Sequence, residues 1–403
     1  MFVALSRLRS VCATTTALSL TVWLLGCGHL KPKPNDSYVF VTTKQGYLRD
    51  RVAAVSNRVA EVTNGQRLKV LDHGRHFLKV QNEKGEVGWI EERAVATPDV
   101  VSAFDKMKLD HKPNPEIAGG VTRDQVYLHI KPGRETEHFY LLNEGEKLQL
   151  LERATIAKAL PPGMSAQRQK AIPEAVGTHA ARKREPEGKF PAAVKAEAPV
   201  VLLEPPTMED WWLVRDSQGH TGWLFGRMLD VDAPDMLTRY SEGQKFVGAY
   251  ILSTVHDEGA PTELKDIPQY VAVMNSYKSG LPYDFDQVRV FTWSLQHHRY
   301  ETAYREKNIE GFLPVTVTKM KDPYGKSPVA QDVLPAFSYR VLTADAPPVV
   351  PDPVTGAVKP SKTVLKTYRL EGNLIRSIAA IGSSPVLEAH PQPEKEKKGR
   401  KKR

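Results

Sequence analysis

The sequence predicts a mainly β protein in which a small β-rich unit occurs twice and is followed by an antiparallel β-rich domain with one short helix. Short stretches of apolar, β-branched and aromatic residues recur along the chain, and glycine-containing turns separate them. One such pattern of strands and turns returns a second time. At 403 residues the chain is long enough for two or three domains, each with its own core.

An export signal is expected at the N-terminus. Arg7 and Arg9 precede an apolar run from Val11 to Leu25, which is the charge-then-apolar order of a secretory signal. The run is shorter than the roughly 20 residues that a permanent membrane-spanning helix needs. A cleaved signal is therefore favoured over an anchor helix.

The end of this run indicates lipidation. Leu24-Leu25-Gly26-Cys27 resembles the lipobox at which bacterial lipoproteins are acylated and cleaved. The resemblance implies that residues 1–26 are a signal peptide and that lipid on Cys27 holds the protein on a membrane. Gly28, not Asp, follows the cysteine, which in Gram-negative lipoproteins favours the outer membrane. We therefore expect a lipid-anchored protein of the cell envelope, on the outer membrane and facing the periplasm, with simple secretion as the alternative.

Cysteine count and charge argue against several classes of protein. Cys12 lies in the predicted signal, so the mature chain would keep Cys27 alone, without an intramolecular disulfide or a cysteine nucleophile. The net charge of +9 is concentrated in the signal, in residues 152–199 and in residues 394–403, and the rest of the chain is slightly acidic. A nucleic-acid-binding domain needs a basic face, so no nucleic-acid partner is expected.

Residues 38–97 are predicted to form the first β-rich unit, after a linker over residues 27–37. Its clearest strands are Tyr38–Val41, Leu68–Leu71 and Phe77–Val80. Turn signals at Gly65 and Gly85 separate the strands, and Gly88-Trp89-Ile90 ends the unit.

The same order of strands and turns returns in residues 120–232, after a predicted linker over residues 98–119. Gly145 and Gly222-Trp223-Leu224 repeat the turn and the terminal strand of the first unit. The second copy is longer because of an insert over about residues 154–206, which is rich in Ala, Pro, Lys, Arg and Glu and poor in aromatic residues. Such a composition cannot bury enough apolar surface to fold, so we expect a disordered loop between two strands.

Both copies resemble bacterial SH3-like (SH3b) domains, small barrels that end on a Gly-Trp-hydrophobic strand. The match depends on Gly65 with Gly88-Trp89 and on Gly145 with Gly222-Trp223. The opening motif departs from the family, since Leu48-Arg49-Asp50 stands where Leu-Asn-Val-Arg is usual. The resemblance implies non-catalytic modules that bind peptidoglycan, stem peptides or partner proteins, and it identifies no single ligand.

Aromatic residues near strand ends or loops are the candidates for ligand grooves in these modules. They are Tyr47, Phe77, Tyr127 and Trp211. Trp89 and Trp223 either line a groove or fill a core, and core packing is the favoured interpretation.

Residues 235–385 are predicted to form the β-rich C-terminal domain, and residues 386–403 a disordered basic tail. The predicted strands are Phe246–Val255, Val288–Trp293, Arg299–Arg305, Phe312–Thr318, Phe337–Leu342, Val364–Leu370 and Leu374–Ala379. Apolar residues at helical spacing from Tyr270 to Tyr277 follow Asp266 and precede Gly280, which predicts one short amphipathic helix.

The densest mixture of aromatic and charged residues lies in the second strand of a predicted hairpin in this domain. Tyr300, Thr302 and Tyr304 would share one face of the strand, and Glu301 and Arg305 the other. A cross-strand ladder of ion pairs is the simpler interpretation. A ligand-contacting sheet face is the alternative, with Tyr300, Tyr304 and Arg305 as its candidates.

No familiar catalytic motif is present in the sequence. His73 with His76, and His297 with His298, are weak metal candidates because each pair lies at a predicted turn without a convincing third ligand. We therefore expect no cofactor, no bound metal and no catalysis. If the C-terminal domain is an enzyme after all, the carboxylates to examine first are Asp284, Asp286, Glu301 and Glu306.

The sequence thus favours a lipid-anchored, non-catalytic adaptor of the cell envelope whose SH3-like modules bind peptidoglycan or partner proteins. Two alternatives remain open. One is a cell-wall hydrolase, or an accessory of one, with a catalytic C-terminal domain. The other is a structural subunit of an envelope assembly.

Overall fold

The protein is seen in a computed structural model that describes residues 37–53, 55–159, 206–379 and 387–391. The predicted signal, Cys27, most of the insert and most of the basic tail lie outside the described residues. Within them the chain is mainly β, as predicted, and its strands form three seven-stranded antiparallel sheets. Among the described residues, no helix is long and apolar enough to cross a membrane.

The first sheet, called here the first repeat, contains strands β1 to β7. Their bounds are β1 Tyr38–Val41, β2 Gln45–Arg49, β3 Arg58–Thr63, β4 Arg67–His73, β5 Phe77–Gln81, β6 Val87–Glu91 and β7 Val95–Ala96. The strand order is β3-β2-β6-β5-β4-β1-β7. Alternate residues such as Leu78, Val80 and Ile90 are buried, as expected for strands with one face on a core.

The second sheet, called the second repeat, contains strands β8 to β14. Their bounds are β8 Ala118–Thr122, β9 Val126–His129, β10 His138–Leu142, β11 Lys147–Ala157, β12 Met208–Arg215, β13 Thr221–Phe225 and β14 Leu229–Val231. The order β10-β9-β13-β12-β11-β8-β14 reproduces that of the first repeat strand for strand. The sequence repeat is therefore a repeat of topology.

The glycine of each Gly-Trp pair permits a close approach between strands. A Cβ atom on Gly88 would lie 2.8 Å from the Cβ of Leu48, and one on Gly222 would lie 2.8 Å from the Cβ of Leu128. Both leucines are fully buried. Any larger residue would push β6 from β2, or β13 from β9, so packing explains why the signature contains glycine.

A helix replaces most of the predicted linker over residues 98–119. Helix α1 spans Pro98–Asp110, and β8 begins a few residues later. The Phe104 ring packs edge-on against Tyr140 with 5.3 Å between ring centroids. Val100 and Phe104 are its only fully buried side chains, and the rest of the helix is polar or partly exposed. This weak apolar stripe explains why the segment resembles a linker in sequence.

The third sheet, called the C-terminal sheet, contains strands β15 to β21 in sequence order. Their bounds are β15 Lys245–His256, β16 Asp266–Asn275, β17 Phe285–Ser294, β18 Arg299–Met320, β19 Leu334–Leu342, β20 Thr363–Glu371 and β21 Leu374–Ser377. A four-residue helix α2, Asp235–Thr238, precedes the sheet. The predicted hairpin around His297 is confirmed, and β20 and β21 form a further hairpin around Gly372.

The predicted amphipathic helix after Asp266 is wrong, because these residues form strand β16. The strand lies between β15 and β17, and every residue from Tyr270 to Asn275 is buried. A strand covered on both faces is apolar at consecutive positions, so helical spacing occurs within it by chance.

A β-bulge in strand β18 makes the predicted assignment of side chains to its two faces wrong. Val290 pairs with Tyr304, but the next residue, Phe291, pairs with Thr302. The extra residue shifts the alternation, so Tyr304 joins a different hydrophobic cluster from Tyr300. The two tyrosines do not share one face.

The boundaries of the insert and of the tail also differ from the prediction. Ala154 and Ala157 pair with Trp211 and Met208, so strand β11 runs into the predicted insert. Residues 387–391 are not part of a free tail, since Ala389 donates a backbone hydrogen bond to the carbonyl of Leu342.

Most of the first repeat forms one compact unit, and the second repeat and the C-terminal sheet lie together in another. A continuous hydrophobic core runs through this second unit from Phe104 and Leu128 to Phe285 and Phe337. The Tyr250 hydroxyl also donates to the carbonyl of Ile117 at 2.5 Å, across the junction of β15 and β8. The second repeat is thus packed as a part of the C-terminal domain.

The substitution Gly222→Ala tests the close approach of β13 and β9. The added methyl group would overlap the Cβ of Leu128 and lie 3.0 Å from the ring of Phe104. We expect a loss of about 1–3 kcal/mol in the free energy of unfolding, measured by urea denaturation. Gly119→Ala is the control, because its nearest neighbours would lie at an ordinary 3.6 Å. Equal stability of the two variants would contradict the packing account.

Candidate functional site

An open pocket of 380 Å³ lies on the first repeat, where the loop after β2 faces β5 and β6. The residues that line it are Arg49, Arg51, Val52, Ala53, Phe77 and Glu91. Phe77 is half-buried and Val52 is 49% exposed, so the pocket offers accessible apolar surface. Of the four aromatic groove candidates, Phe77 is the one that lines this pocket.

Two arginines give the pocket its charge. Arg49 donates to the hydroxyl of Ser56 at 3.0 Å, and Arg51 lies 3.8 Å from Asp50 with its side chain 64% exposed. Glu91 is the single carboxylate among the described lining residues. Guanidinium groups beside an apolar ring suit a ligand that carries a carboxylate or carbonyl oxygen next to an apolar group.

Tyr47, the other candidate in this repeat, is engaged elsewhere. The guanidinium of Arg58 lies over its ring at 4.0 Å from the centroid. This cation–π contact uses one face of a half-buried ring, and Tyr47 does not line the pocket.

The expectation that Trp89 and Trp223 pack in the core is wrong. In both repeats the buried neighbours are the preceding glycine and the following aliphatic residue, whereas the tryptophans are half-buried. Side chains alternate across a strand, so each tryptophan points to the face opposite the core. The Trp89 ring lies against the turn at Gly74, where an added Cβ would be 3.2 Å from Cζ3.

The strand pairing identifies the counterpart of the pocket in the second repeat. Phe77 pairs with Glu91 and Arg49 with Trp89 in the first repeat. Trp211 pairs with Phe225 and His129 with Trp223 in the second. His129, Trp211 and Phe225 therefore occupy the positions of Arg49, Phe77 and Glu91.

Aromatic rings fill this counterpart. The Trp211 ring packs 5.2 Å from His129 and 5.4 Å from Phe225, between ring centroids. Arg134 covers Phe225 at 4.5 Å from the ring centroid and pairs with Glu209 at 2.7 Å. Trp211 is only 1% exposed, so its assignment as a groove residue is wrong.

Tyr127 lies at the far end of the same row of rings. Its ring packs 4.6 Å from His138, whose ring is 5.5 Å from His129. Burial raises the pKa of the Tyr127 hydroxyl. Tyr127 is half-buried and is an accessible edge of this row.

The candidate ligand-binding residues of the C-terminal sheet contact other residues of the protein. Tyr300 is 4% exposed and donates to the carbonyl of Pro268 at 2.7 Å, so its predicted role as a ligand contact is wrong. Arg305 donates to a Glu242 oxygen at 2.6 Å, and the buried Arg289 donates to the same oxygen at 2.9 Å. The partner of both arginines lies in the turn before β15 and not on a neighbouring strand, so this group is an internal ion-pair cluster and not the predicted cross-strand ladder.

Tyr304 belongs to a network around the carboxylate of Glu306. Its hydroxyl donates to Glu306 at 3.0 Å, and Tyr339 and Lys366 donate to the same carboxylate. These donors hold the pKa of Glu306 below its usual value although burial acts in the opposite direction. Lys366 also pairs with Glu388 at 2.8 Å, which ties residues 387–391 to the sheet.

The remaining titratable candidates do not converge on one point. Asp284 pairs with Arg153, and Glu301 with His297 at 2.8 Å. The neighbouring His298 pairs instead with Asp257, also at 2.8 Å. Within the described part of the chain, no group of three His, Cys, Asp or Glu residues is placed to hold a metal ion.

A second site, which the sequence does not reveal, lies between the second repeat and the C-terminal sheet. It is a cleft of 320 Å³. At one side the buried Arg153 lies 3.0 Å from a carboxylate oxygen of Asp284 and donates to the carbonyl of Leu281 at 2.9 Å. Burial raises the pKa of Asp284, and Arg153 opposes this shift. These residues are far apart in the sequence, so spacing gives no signal of the site.

Comparison with known proteins adds little to this geometry. No family model and no curated protein matches the chain. Among solved structures, NlpC2 from Trichomonas vaginalis aligns with 67% of this chain and 97% of its own length, with 8% identical residues and a TM-score of 0.13. A match at that score supports no argument about fold or function.

The filled site of the second repeat predicts a pH dependence of stability. Burial, with a contribution from His138, lowers the pKa of His129 from 6.5 to about 4. Between these values the unfolded chain binds a proton that the folded chain does not, so stability is lost as the pH falls from 6.5 to 4. Because the ring is partly exposed, we expect this loss to be about 1–2 kcal/mol.

Urea denaturation at pH 7 and pH 4.5 measures this effect. His129→Gln removes the titrating ring, so the variant should lose less stability on acidification than the unsubstituted protein. An identical loss in both proteins would show that His129 does not titrate as described.

Proposed function

We propose that the protein is a lipid-anchored, non-catalytic binding protein of the cell envelope whose ligand site is the pocket of the first repeat. The observation that carries the proposal is the contrast between the repeats. One topology presents an open pocket around Phe77 in the first copy and a row of packed rings at the same positions in the second.

Three features support a binding role for the first pocket. Arg51 is largely exposed, Phe77 offers apolar surface, and Val52 lies on a loop that a ligand can reach. Binding residues commonly lie on loops that a rigid scaffold positions. The resemblance to SH3b domains makes peptidoglycan stem peptides, or an envelope protein with an acidic segment, the classes of ligand that fit two arginines beside a ring.

The second repeat has a structural part in this proposal. Its counterpart site is filled by Trp211 and Phe225, and its strands share a core with the C-terminal sheet. The lipid on Cys27 would hold the assembly at the outer membrane, where the wall is within reach. A structural subunit of an envelope assembly fits the same fold, and the binding experiment below distinguishes the two roles.

Co-sedimentation with insoluble peptidoglycan tests the first pocket. We expect the unlipidated protein, residues 28–403, to sediment with the wall at physiological salt, and Arg51→Ala and Phe77→Ala to weaken binding by about tenfold each, as expected for losing one charged or aromatic contact. Lys84→Ala, in the turn before Gly85, is the matched control and should bind normally. Salt must be varied, because the basic tail also attracts anionic polymer.

Three results would contradict the proposal. If both pocket variants sediment like the control, the pocket is not the wall site. If the unsubstituted protein does not sediment, and retrieves envelope proteins equally well with and without Phe77, the structural-subunit role is favoured. Release of soluble wall fragments during the incubation would favour the hydrolase alternative.

A further inference from the structure

The cleft between the second repeat and the C-terminal sheet has the composition of a ligand site. Its charged lining residues are Arg123, Arg153, Asp210, Arg227, Lys245 and Lys278, together with Asp284. Its apolar wall includes Phe225, Phe246 and Trp212. A volume of 320 Å³ lies at the lower end of the range of small-molecule sites, so the cleft suits a compact ligand.

The two carboxylates of the cleft are already engaged by the protein. Asp284 pairs with Arg153 and accepts a hydrogen bond from the backbone N–H of Leu313 at 2.9 Å. Asp210 accepts from the hydroxyl of Thr155 at 2.7 Å and from the backbone N–H of Gly280 at 3.2 Å. Both carboxylates of the cleft therefore already have donors within the protein, and these contacts hold its walls in place.

Lys245 and Arg227 lack such an acidic partner. Among the described residues, no carboxylate lies within ion-pair distance of either side chain, and the hydrogen-bond partner of the Lys245 ammonium is the Gly226 carbonyl at a long 3.4 Å. Arg123, in contrast, is held by Asp230. The ammonium of Lys245 therefore faces the cleft without a direct ion-pair partner.

The environment of Lys245 makes a bound anion favourable. Burial lowers the pKa of its ammonium; Asp210 and Asp230 act against this shift, and Arg123 adds to it. A partly desolvated ammonium with unused N–H donors is stabilised by an anion more strongly than an exposed one is. Phe246 lies next to Lys245 in the chain and lines the same cleft, so apolar surface is available beside the charge.

We propose that this cleft binds a small monocarboxylate with an apolar body, whose carboxylate contacts Lys245 and Arg227. A dianionic phosphate fits less well, because Asp210 and Asp284 also line the cleft and would repel a second negative charge. This site is independent of the first-repeat pocket, since the two sites have no residue in common.

Titration of backbone amide NMR shifts tests the proposal with three probes. Phenylacetate supplies the carboxylate and an apolar ring, phenylacetamide is its neutral analogue, and inorganic phosphate is the competing anion. We expect phenylacetate to shift the amides of Lys245 and Gly226 and to bind at least tenfold more tightly than either other probe. Lys245→Met should lower its affinity about 10- to 100-fold, and Arg227→Gln several-fold.

Lys319→Met is the matched control, since Lys319 is exposed on the C-terminal sheet and does not line the cleft. Thermal unfolding of each variant shows whether it is folded. If Lys245→Met is not folded, Arg227→Gln still tests the proposal, because Arg227 is exposed. Tighter binding of phosphate than of phenylacetate would overturn the proposal. So would equal binding by Arg227→Gln and the control, or the absence of any phenylacetate shift in the cleft.

Discussion

The buried ion pair between Arg153 and Asp284 links the second repeat to the C-terminal sheet beside the core that the two share. Both side chains are almost fully buried; Arg153 also donates to the carbonyl of Leu281, and Asp284 accepts from the backbone N–H of Leu313. Removing one partner of such a pair leaves an uncompensated charge, which costs about 3–5 kcal/mol. The pair joins strand β11 of the second repeat to the start of β17, so it fixes where one wall of the cleft meets the other.

The two repeats share one topology but differ in surface. In the second repeat, the rings of Trp211, Phe225 and His129 fill the positions of the pocket, and Arg134, paired with Glu209, covers Phe225. The first repeat has no such filling, and Phe77 stands beside exposed arginines. The same glycine packing therefore supports two repeats of one topology that present different surfaces.

Local signals predicted the strands and the repeat well. Glycines at turns and in the Gly-Trp pairs meet local requirements of the backbone, so they are visible in the sequence. An example is Gly222, where two strands approach closely. Packing between residues that are distant in the sequence leaves no such local signal. Strand β16 has a helix-like pattern because both of its faces are covered, and the bulge opposite Phe291 moves Tyr304 without any mark in the sequence. The burial of Trp211 and the pairing of Arg153 with Asp284 depend on residues distant in the chain, so neither the filled site nor the cleft could be predicted.

Hydrogen exchange of the full chain with Arg153→Met tests most directly whether the second repeat and the C-terminal sheet are one cooperative unit. The substitution replaces the guanidinium by an unbranched apolar side chain and leaves the Asp284 carboxylate buried without its partner. The account predicts that amide protection falls together in β11 and β12 and in β15 to β17, while protection in β5 and β6 of the first repeat is unchanged. Loss of protection confined to the second repeat, or no loss at all, would contradict it.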